Sequence, residues 1–290
     1  MQPTDLSRAL MAATSTATAL GLTVDDVEVL QNSNKLAVRL RPCDVLARIA
    51  PLADHAAQFE VDLAVRLAET ASPAVALEPR VPTNVYDVDG FAITFWTYHP
   101  LIAPDIAPSE YGDGLRRLHI GMRKIDITTP HFTDRVTEAE RLLANRNQTP
   151  ELPDVDRVFL SGMLNSLKSS ILGHGAAEQL LHGEPHPGNV LNTKYGPLFI
   201  DLETCCHGPI EFDLAHVPEA VIDHYPNVDQ VLLGECRALV LVMVAAWRWD
   251  AGDQFPHGRH WAEELIRALR RGPPWPSLDA IARDLAGAQP

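Results

Sequence analysis

The chain has 290 residues, enough for about two domains of ordinary size. Hydrophobic residues make up 46% and charged residues 21%, a globular composition that excludes a mainly disordered chain. The 24 lysines and arginines are outnumbered by 38 aspartates and glutamates, so the formal net charge is −14. We therefore expect no nucleic-acid partner, because that affinity comes mainly from lysine and arginine on phosphate groups. The same charge suits a cationic small substrate, although it is also a common means of staying soluble.

The cysteines and the apolar segments indicate the cellular location. No cysteine belongs to a C-x-x-C pair, and the adjacent Cys205 and Cys206 are a poor basis for a disulfide framework, so a reducing compartment fits best. Residues 1–10 contain Asp5 and no uninterrupted apolar core, unlike a secretory signal. The longest apolar run, 238–247, is shorter than the roughly 20 residues that a bilayer requires. We expect a cytoplasmic protein without a membrane partner.

The first third of the chain is rich in predicted strands. Alternating apolar and polar residues indicate strands, and apolar residues three or four apart indicate helices. We predict helices over 6–20 and 54–69, strands over 27–30, 36–40, 45–49, 76–80 and 91–97, and a turn over 31–34.

Helical spacing dominates the remainder of the chain. We predict helices over 111–122, 133–145, 154–173, 229–249 and 259–271, and one short hairpin formed by 190–191 and 198–200. Strands followed by helices favour an α+β fold. We place the boundary between the two regions at residue 97.

The densest cluster of polar residues runs from His182 to Asn189 and reads HGEPHPGN. Its prolines and glycines exclude a regular helix, so a shaped loop is predicted. The carboxylate of Glu184 is suited to orienting or deprotonating a hydroxyl group. Asn189 and, beyond the hairpin, Asp201 offer oxygen ligands of the kind that Mg²⁺ prefers. Phosphoryl transfer requires these functions, together with a cation on the phosphate oxygens.

Other chemistries are disfavoured by their missing motifs. His182, Glu184 and His186 do not form H-E-x-x-H, and the prolines among them prevent the helix that this zinc motif needs. The H-x-E of zinc deaminases is present, but its P-C-x-x-C partner is absent. The sequence contains no P-loop, no G-x-G-x-x-G and no G-x-S-x-G.

The segments HGEPHPGNVL, FIDLE and GPIEFDLAH resemble the aminoglycoside phosphotransferase family, which usually reads HGDxHPGN in this loop. Protein kinases likewise place an asparagine five residues after the catalytic acid and a metal-binding aspartate beyond it. The match is strong over about 181–216 and extends to the N-terminal part only in element order. The resemblance implies a bilobed protein-kinase-like α+β fold. A nucleotide-binding lobe over 1–97 would precede a helical lobe over 98–290 that holds the catalytic loop and the acceptor site.

The resemblance also implies roles for residues in and after the loop. Glu184 takes the position of the catalytic aspartate, and Asn189 and Asp201 take those of the magnesium ligands. His182 corresponds to a histidine that supports the loop, and Asp213 to a buried structural carboxylate.

The N-terminal lobe is expected to hold the nucleotide. Arg48 lies on the third strand, where kinases have a phosphate-contacting lysine, and Glu60 is the candidate for its partner on the following helix. Trp96 and Tyr98 lie where a hinge would meet adenine.

Three departures from the family pattern bear on rate and nucleotide choice. Glu184 is one methylene longer than aspartate, and Arg48 presents a planar fork instead of an ammonium group. The loop at 31–34, which should cover the nucleotide, contains no glycine.

The resemblance predicts a Mg²⁺-dependent enzyme that moves the γ-phosphoryl group of ATP or GTP to a hydroxyl group of a small molecule. Family likeness and net charge favour an amine-bearing acceptor such as an aminoglycoside or amino sugar. The alternative is a non-catalytic, nucleotide-binding pseudokinase that acts as a regulatory or interaction module, and a third reading is a kinase fold with altered chemistry. The sequence leaves open the acceptor, the choice between ATP and GTP, and the oligomeric state.

Overall fold

The computed structural model describes residues 3–33, 35–53, 56–103 and 105–287. The chain forms two compact units. The first comprises Met1–Ile106, Ile120–Ile127 and Val190–Glu203, and the second comprises Ala107–His119, Thr128–Asn189 and Thr204–Pro290. The first unit is built on a β-sheet and the second mainly on helices, which confirms the α+β class. The division into lobes at residue 97 stays a prediction.

A five-stranded antiparallel sheet in the order β1-β2-β3-β5-β4 forms the first unit. Its strands are β1 (Val24–Asn32), β2 (Leu36–Pro42), β3 (Val45–Pro51), β4 (Tyr86–Val88) and β5 (Phe91–Thr97). Buried and half-buried residues alternate along β2 and β3, because successive side chains point to opposite faces of a sheet. Helix α1 (Pro3–Ala19) contributes four buried alanines to the core of this sheet, and helix α2 (Ala56–Ala68) follows β3.

The predicted strand over 76–80 is wrong. In that segment Leu77 makes an isolated bridge to Trp96, and the described backbone forms no continuous strand there. Prolines at 73, 79 and 82 lack the amide hydrogen that a continuous ladder requires.

Strand β4 is missed by the sequence prediction. It precedes Asp89 and Gly90, which have positive φ values of 54° and 81°. An Asp-Gly pair with these dihedrals is the favoured two-residue turn of a hairpin. The turn residues therefore indicated a hairpin here, whereas the three-residue strand is too short to show an alternating pattern.

Two predicted boundaries near the start of the sheet move. The turn over 31–34 is shorter than predicted because β1 extends to Asn32, and Asn34 lies outside the described residues. The helix predicted from residue 54 begins at Ala56 in the structure, and residues 54–55 lie outside the described part.

A second hairpin, β7 (Val190–Thr193) and β8 (Gly196–Phe199), also belongs to the first unit. Two backbone hydrogen bonds attach it to the segment that follows α2. Val75 N donates to Phe199 O at 2.9 Å, and Phe199 N donates to Pro73 O at 2.8 Å. These bonds fix the chain two residues before Asp201.

The second unit is mainly helical. Helix α3 (Pro108–Met122) begins in it, and the helices that follow are α4 (Phe132–Ala144), α5 (Asp154–Gly173), α6 (Ile210–Leu214), α7 (Glu219–Ile222), α8 (Gln230–Trp247), α9 (Gly258–Arg271) and α10 (Leu278–Gly287). The strands β6 (Glu178–Leu181) and β9 (Cys206–Pro209) form an antiparallel pair. The five predicted helices are confirmed to within a few residues at their ends. The β6–β9 pair is missed because four-residue strands carry little periodic signal.

Helix α8 packs against α4, α5, α6 and α9. By length and apolar composition it is, among the described residues, the one helix that could cross a membrane. However, 61% of it is buried inside the protein, as in the core helix of a globular fold. The apolar run over 238–247 covers only part of this helix. The whole helix has 18 residues, and its only charged side chains are Glu235 and Arg237.

All four cysteines carry free thiols. Cys205, Cys206 and Cys236 are buried, and Cys43 is half-buried. Burial raises the pKa of the Cys206 and Cys236 thiols, which keeps them protonated and unreactive in the folded chain.

Candidate active site

Arg48 lies in a cluster of charged side chains in the first unit. It projects from the half-buried face of β3, opposite the buried Ala47 and Ile49. Its Nη1 lies 2.6 Å from Oε1 of Glu60, and its Nη2 lies 2.5 Å from Oδ1 of Asp201. The structure thus brings together three residues that the sequence singled out and that are far apart along the chain.

Glu60 also binds a second cation, which the sequence prediction missed. Its other oxygen, Oε2, lies 3.1 Å from Nζ of Lys35, and Lys35 forms a further ion pair with Glu203. The Glu60 side chain is only 5% exposed, so the two cations compensate its charge in place of water. Two signals were available: Lys35 directly follows the loop at 31–34, and Glu203 stands two residues after Asp201 in FIDLE.

The charges of this cluster stabilise one another. Burial opposes the charge of Arg48, but Glu60 and Asp201 raise the pKa of its guanidinium above the ordinary value. Burial likewise opposes the charge of Lys35, and Glu60 together with Glu203 raises the pKa of its ammonium group. Burial and the adjacent Asp201 carboxylate raise the pKa of Glu203. Both cations therefore stay charged at neutral pH.

The backbone turns sharply at Asp201. Its φ is +65°, in the left-handed region that aspartate adopts more readily than most residues. A single 3-10 turn, Leu202–Thr204, follows. The carboxylate is 29% exposed, so it remains accessible beside Arg48.

The two aromatic residues expected at the nucleotide base occupy different environments. Trp96 is 1% exposed, and its indole N–H donates to Oγ1 of Thr94 at 2.8 Å. A ring this buried fills the interior and offers no face to a base. Tyr98 is half-buried, and the guanidinium carbon of Arg39 lies 4.3 Å from its ring centroid. Of the two rings, only that of Tyr98 is partly open.

In the second unit, a buried carboxylate shapes the start of the predicted catalytic loop. Asp213 is fully buried, as predicted. Its Oδ2 accepts from the backbone N–H of His182 at 2.9 Å, and its Oδ1 accepts from that of Gly183 at 2.7 Å. Nε2 of His119 lies 2.9 Å from Oδ2, and Nδ1 of the same ring lies 2.7 Å from the hydroxyl of Tyr225. Although burial opposes ionisation, His119 and the loop amide lower the pKa of Asp213.

Gly183 meets a steric requirement in the same turn. Its φ is +89°, and a Cβ atom at this position would lie 1.9 Å from the backbone oxygen of Thr204. Only glycine fits, because both the dihedral and the close approach exclude a side chain.

Glu184 is held by a cation that the sequence prediction did not identify. Arg135, on α4, forms an ion pair with Oε1 of Glu184, and its guanidinium carbon lies 5.1 Å from the ring centroid of Trp247. Oε2 of Glu184 accepts no hydrogen bond from the residues that the structure describes. Burial would raise the pKa of Glu184, but the guanidinium of Arg135 lowers it below the ordinary value. One carboxylate oxygen is thus anchored while the other is available to a ligand.

A neutral histidine lies near this carboxylate. His216 is buried, and burial lowers its pKa to about 4. Its Nε2 has no hydrogen-bond partner within the described ranges. At neutral pH, Arg135 is therefore the direct cationic partner of Glu184, and His216 adds no charge beside it.

Asn189 is oriented by the loop itself. Its Nδ2 donates to the backbone oxygen of Glu184 at 3.0 Å. This bond leaves the amide oxygen as the end that can bind a cation. The described residues contain no group of three or more His, Cys, Asp or Glu side chains that could hold a metal ion by itself. The amide oxygen of Asn189 and the carboxylate of Asp201 are each an oxygen ligand of the kind that Mg²⁺ accepts, since this ion usually takes one or two protein oxygens and fills its shell with water and phosphate.

The predicted site residues divide between the two units. Arg48, Glu60 and Asp201 meet in the first, while Glu184 and Asn189 share the loop in the second.

Residues 28–233 match the sequence profile of the phosphotransferase enzyme family, which is more than half of the chain. The chain belongs to the phosphotransferase enzyme family. No curated protein matches it.

Solved structures show that this phosphotransferase has the kinase-like fold. An amicoumacin kinase in complex with AMP-PNP, Ca²⁺ and its ligand has a TM-score of 0.70 at 10% identity, covering 96% of this chain and 100% of that one. A choline/ethanolamine kinase family protein from Mesorhizobium loti has a TM-score of 0.65 at 19% identity, covering 98% of both chains. The complex of APH(2")-IIia with GDP and kanamycin has a TM-score of 0.64 at 13% identity, covering 92% of this chain and 97% of that one.

Replacing Asp213 with asparagine should destabilise the second unit. Asparagine offers one acceptor oxygen in place of two, so it cannot accept from the backbone N–H groups of both His182 and Gly183 while also binding His119. We expect a loss of about 3 kcal/mol in the free energy of unfolding, measured by urea denaturation. Asp223→Asn, at an exposed position, is the control and should stay near the wild-type value. Equal stabilities of the two variants would contradict the role given to Asp213.

Replacing Arg135 with glutamine should have a pH-dependent effect. The folded-state pKa of Glu184 is lowered, so its ion pair stabilises the fold above the unfolded-state pKa and is lost as pH falls through the folded-state value. We expect Arg135→Gln to cost about 3 kcal/mol at pH 7 and markedly less at an acidic pH below the folded-state pKa of Glu184, where its carboxyl group is protonated.

Urea denaturation at the two pH values measures this difference. Arg135→Gln combined with Glu184→Gln removes both charges and should recover much of the stability at pH 7. A loss independent of pH would show that packing against Trp247, and not the ion pair, accounts for the effect.

Proposed function

We propose that this phosphotransferase moves the γ-phosphoryl group of ATP or GTP to a hydroxyl group of a small molecule in the cytoplasm. Glu184 orients or deprotonates that hydroxyl group, and Arg48, held by Glu60, contacts the α- and β-phosphates. Asn189 and Asp201 would hold Mg²⁺, which when bound neutralises charge on the phosphates. The region over 1–97 would bind the nucleotide, and the acceptor would bind to the helical region.

The observation that carries the proposal is the contact of Arg48 with both Glu60 and Asp201. A strand arginine on its own is usually a surface or ion-pair residue. Here it joins two carboxylates that the family resemblance selected independently, one on a helix and one after a hairpin. A cation between a helix glutamate and a metal-binding aspartate is the arrangement that kinases need for nucleotide phosphates.

The chemistry at Glu184 follows from its anchored oxygen. Arg135 keeps the carboxylate ionised and binds Oε1, so Oε2 is left to accept the hydrogen bond of the acceptor hydroxyl. A lowered pKa makes Glu184 a weak base, which suits a reaction whose transition state is loose and needs orientation more than early proton removal. Arg135 thereby offsets the extra methylene of glutamate by restricting where the carboxylate lies.

The acceptor class is inferred from the neighbours. Choline, ethanolamine and kanamycin, the compounds named with them, are all hydroxyl-bearing amines or ammonium ions. The net charge of −14 is consistent with such an acceptor. The neighbours also carry different nucleotides, AMP-PNP and GDP, so both ATP and GTP belong in the test.

Nucleotide binding is tested by thermal shift with ATP and GTP, each with and without Mg²⁺. A ligand at 100 times its Kd stabilises the folded state by about 2.7 kcal/mol, so we expect a Mg²⁺-dependent rise in Tm with at least one nucleotide. Asp201→Ala should abolish the Mg²⁺ dependence, whereas Asp26→Ala, at an exposed position on β1, should retain it. A Mg²⁺-dependent shift retained in Asp201→Ala would remove Asp201 from the metal site.

Phosphoryl transfer is tested by nucleoside diphosphate release with choline, ethanolamine and kanamycin as acceptors. Glu184→Gln should lower the rate on any active acceptor at least 100-fold, because general-base positioning contributes that much, and leave nucleotide affinity unchanged. Glu178→Gln, a half-exposed glutamate on β6, is the control. An unchanged rate would remove Glu184 from this role, and Mg²⁺-dependent binding without transfer to any acceptor would favour the pseudokinase.

A further inference from the structure

Two cations of the first unit bind opposite oxygens of one buried carboxylate. Nη1 of Arg48 contacts Oε1 of Glu60 at 2.6 Å, and Nζ of Lys35 contacts Oε2 at 3.1 Å. Arg48 continues to Asp201, and Lys35 continues to Glu203, two residues further along the chain. The two cations therefore connect the same pair of elements, helix α2 and the segment after β8.

Lys35 also has a particular place along the chain. It lies in the short connection between β1, which ends at Asn32, and β2, which begins at Leu36. Loops that cover nucleotide phosphates usually contain glycines, so that their backbone N–H groups can approach the phosphate oxygens. None of residues 31–34 is glycine. Lys35, in the same connection, supplies a charge that does not depend on such an approach.

Lys35 changes the net charge of the cluster that surrounds Glu60. The cluster contains three carboxylates, from Glu60, Asp201 and Glu203, and two cations, Lys35 and Arg48, so its sum is −1 when all are ionised. A divalent cation brings the sum to +1, which attracts a nucleoside triphosphate. Without Lys35 the same loaded cluster would be neutral. The ammonium is 11% exposed, so water screens its charge poorly.

We propose that Lys35 is a second phosphate-binding residue, which contacts the phosphate oxygens of the bound nucleotide alongside Arg48. This inference rests on the proposed function, because it assigns a further residue to the same nucleotide site. Arg48 is engaged by carboxylates on both of its terminal nitrogens, and a compact ammonium group on a flexible stem complements such a fixed planar fork. Lys35 thus compensates for the departure of this chain from a lysine on β3 and a glycine-containing loop.

The experiment compares the affinities of the full chain for Mg²⁺-ATP, Mg²⁺-GTP and adenosine, measured by calorimetry. The variants are Lys35→Met, Lys35→Arg and Arg48→Met, and Lys194→Met is the control at an exposed lysine of the β7–β8 hairpin. We expect Lys35→Met to weaken the binding of the preferred Mg²⁺-nucleotide at least tenfold, the effect of one charge-assisted hydrogen bond. Adenosine, which has no phosphate, should bind Lys35→Met as it binds the wild type. Lys35→Arg should recover most of the affinity, and Lys194→Met should match the wild type.

The outcomes separate this inference from the proposed function. Unchanged Mg²⁺-nucleotide affinity in Lys35→Met, with a loss in Arg48→Met, would overturn the role of Lys35 and leave the nucleotide site intact. Equal losses of Mg²⁺-nucleotide and adenosine affinity would also overturn it, because they would indicate a structural role. The Tm of each variant without ligand shows whether it is folded, and Glu60 keeps its pair with Arg48 in Lys35→Met. A wild-type chain that binds neither Mg²⁺-nucleotide would overturn both proposals.

Discussion

A single buried carboxylate, Asp213, holds the start of the predicted catalytic loop in the helical unit. It binds two consecutive loop amides and, through His119, the hydroxyl of Tyr225. A charge buried this completely is tolerated only because each of its oxygens is satisfied by donors. The turn at Gly183 is held by these bonds and immediately precedes Glu184.

Two residues that depart from the family pattern, Glu184 and Arg48, are each held by a charged partner. Glutamate at position 184 is longer than aspartate, and Arg135 anchors one of its oxygens. Arginine at position 48 is a rigid fork, and it is bound by two carboxylates that match its geometry. In both cases a substitution that looks like a defect in the motif is accompanied by a charged partner elsewhere in the fold.

Local patterns in the sequence were sufficient for most elements, whereas Arg48, Glu60 and Asp201 were selected by the family resemblance. The strand over 91–97 and the helix over 154–173 have the predicted bounds because their periodicity is long and uninterrupted. The ion pairs of Lys35 with Glu203 and of Arg135 with Glu184 could not be predicted in the same way, because the partners are 168 and 49 positions apart and neither cation belongs to a motif. Trp96 is the opposite case. Its position in the sequence suggested a contact with the nucleotide base, whereas its ring is buried in the interior.

The reactivity of the buried thiols reports local unfolding of this protein. Cys206 pairs with Leu181, the residue before the loop, and Cys205 precedes it. Cys236 lies within α8, whereas the half-buried Cys43 lies between β2 and β3. A thiol that is protonated and shielded reacts with an alkylating reagent only when its surroundings separate. The order in which the four sites become modified would therefore map which parts of the protein open first, without any probe having to be introduced.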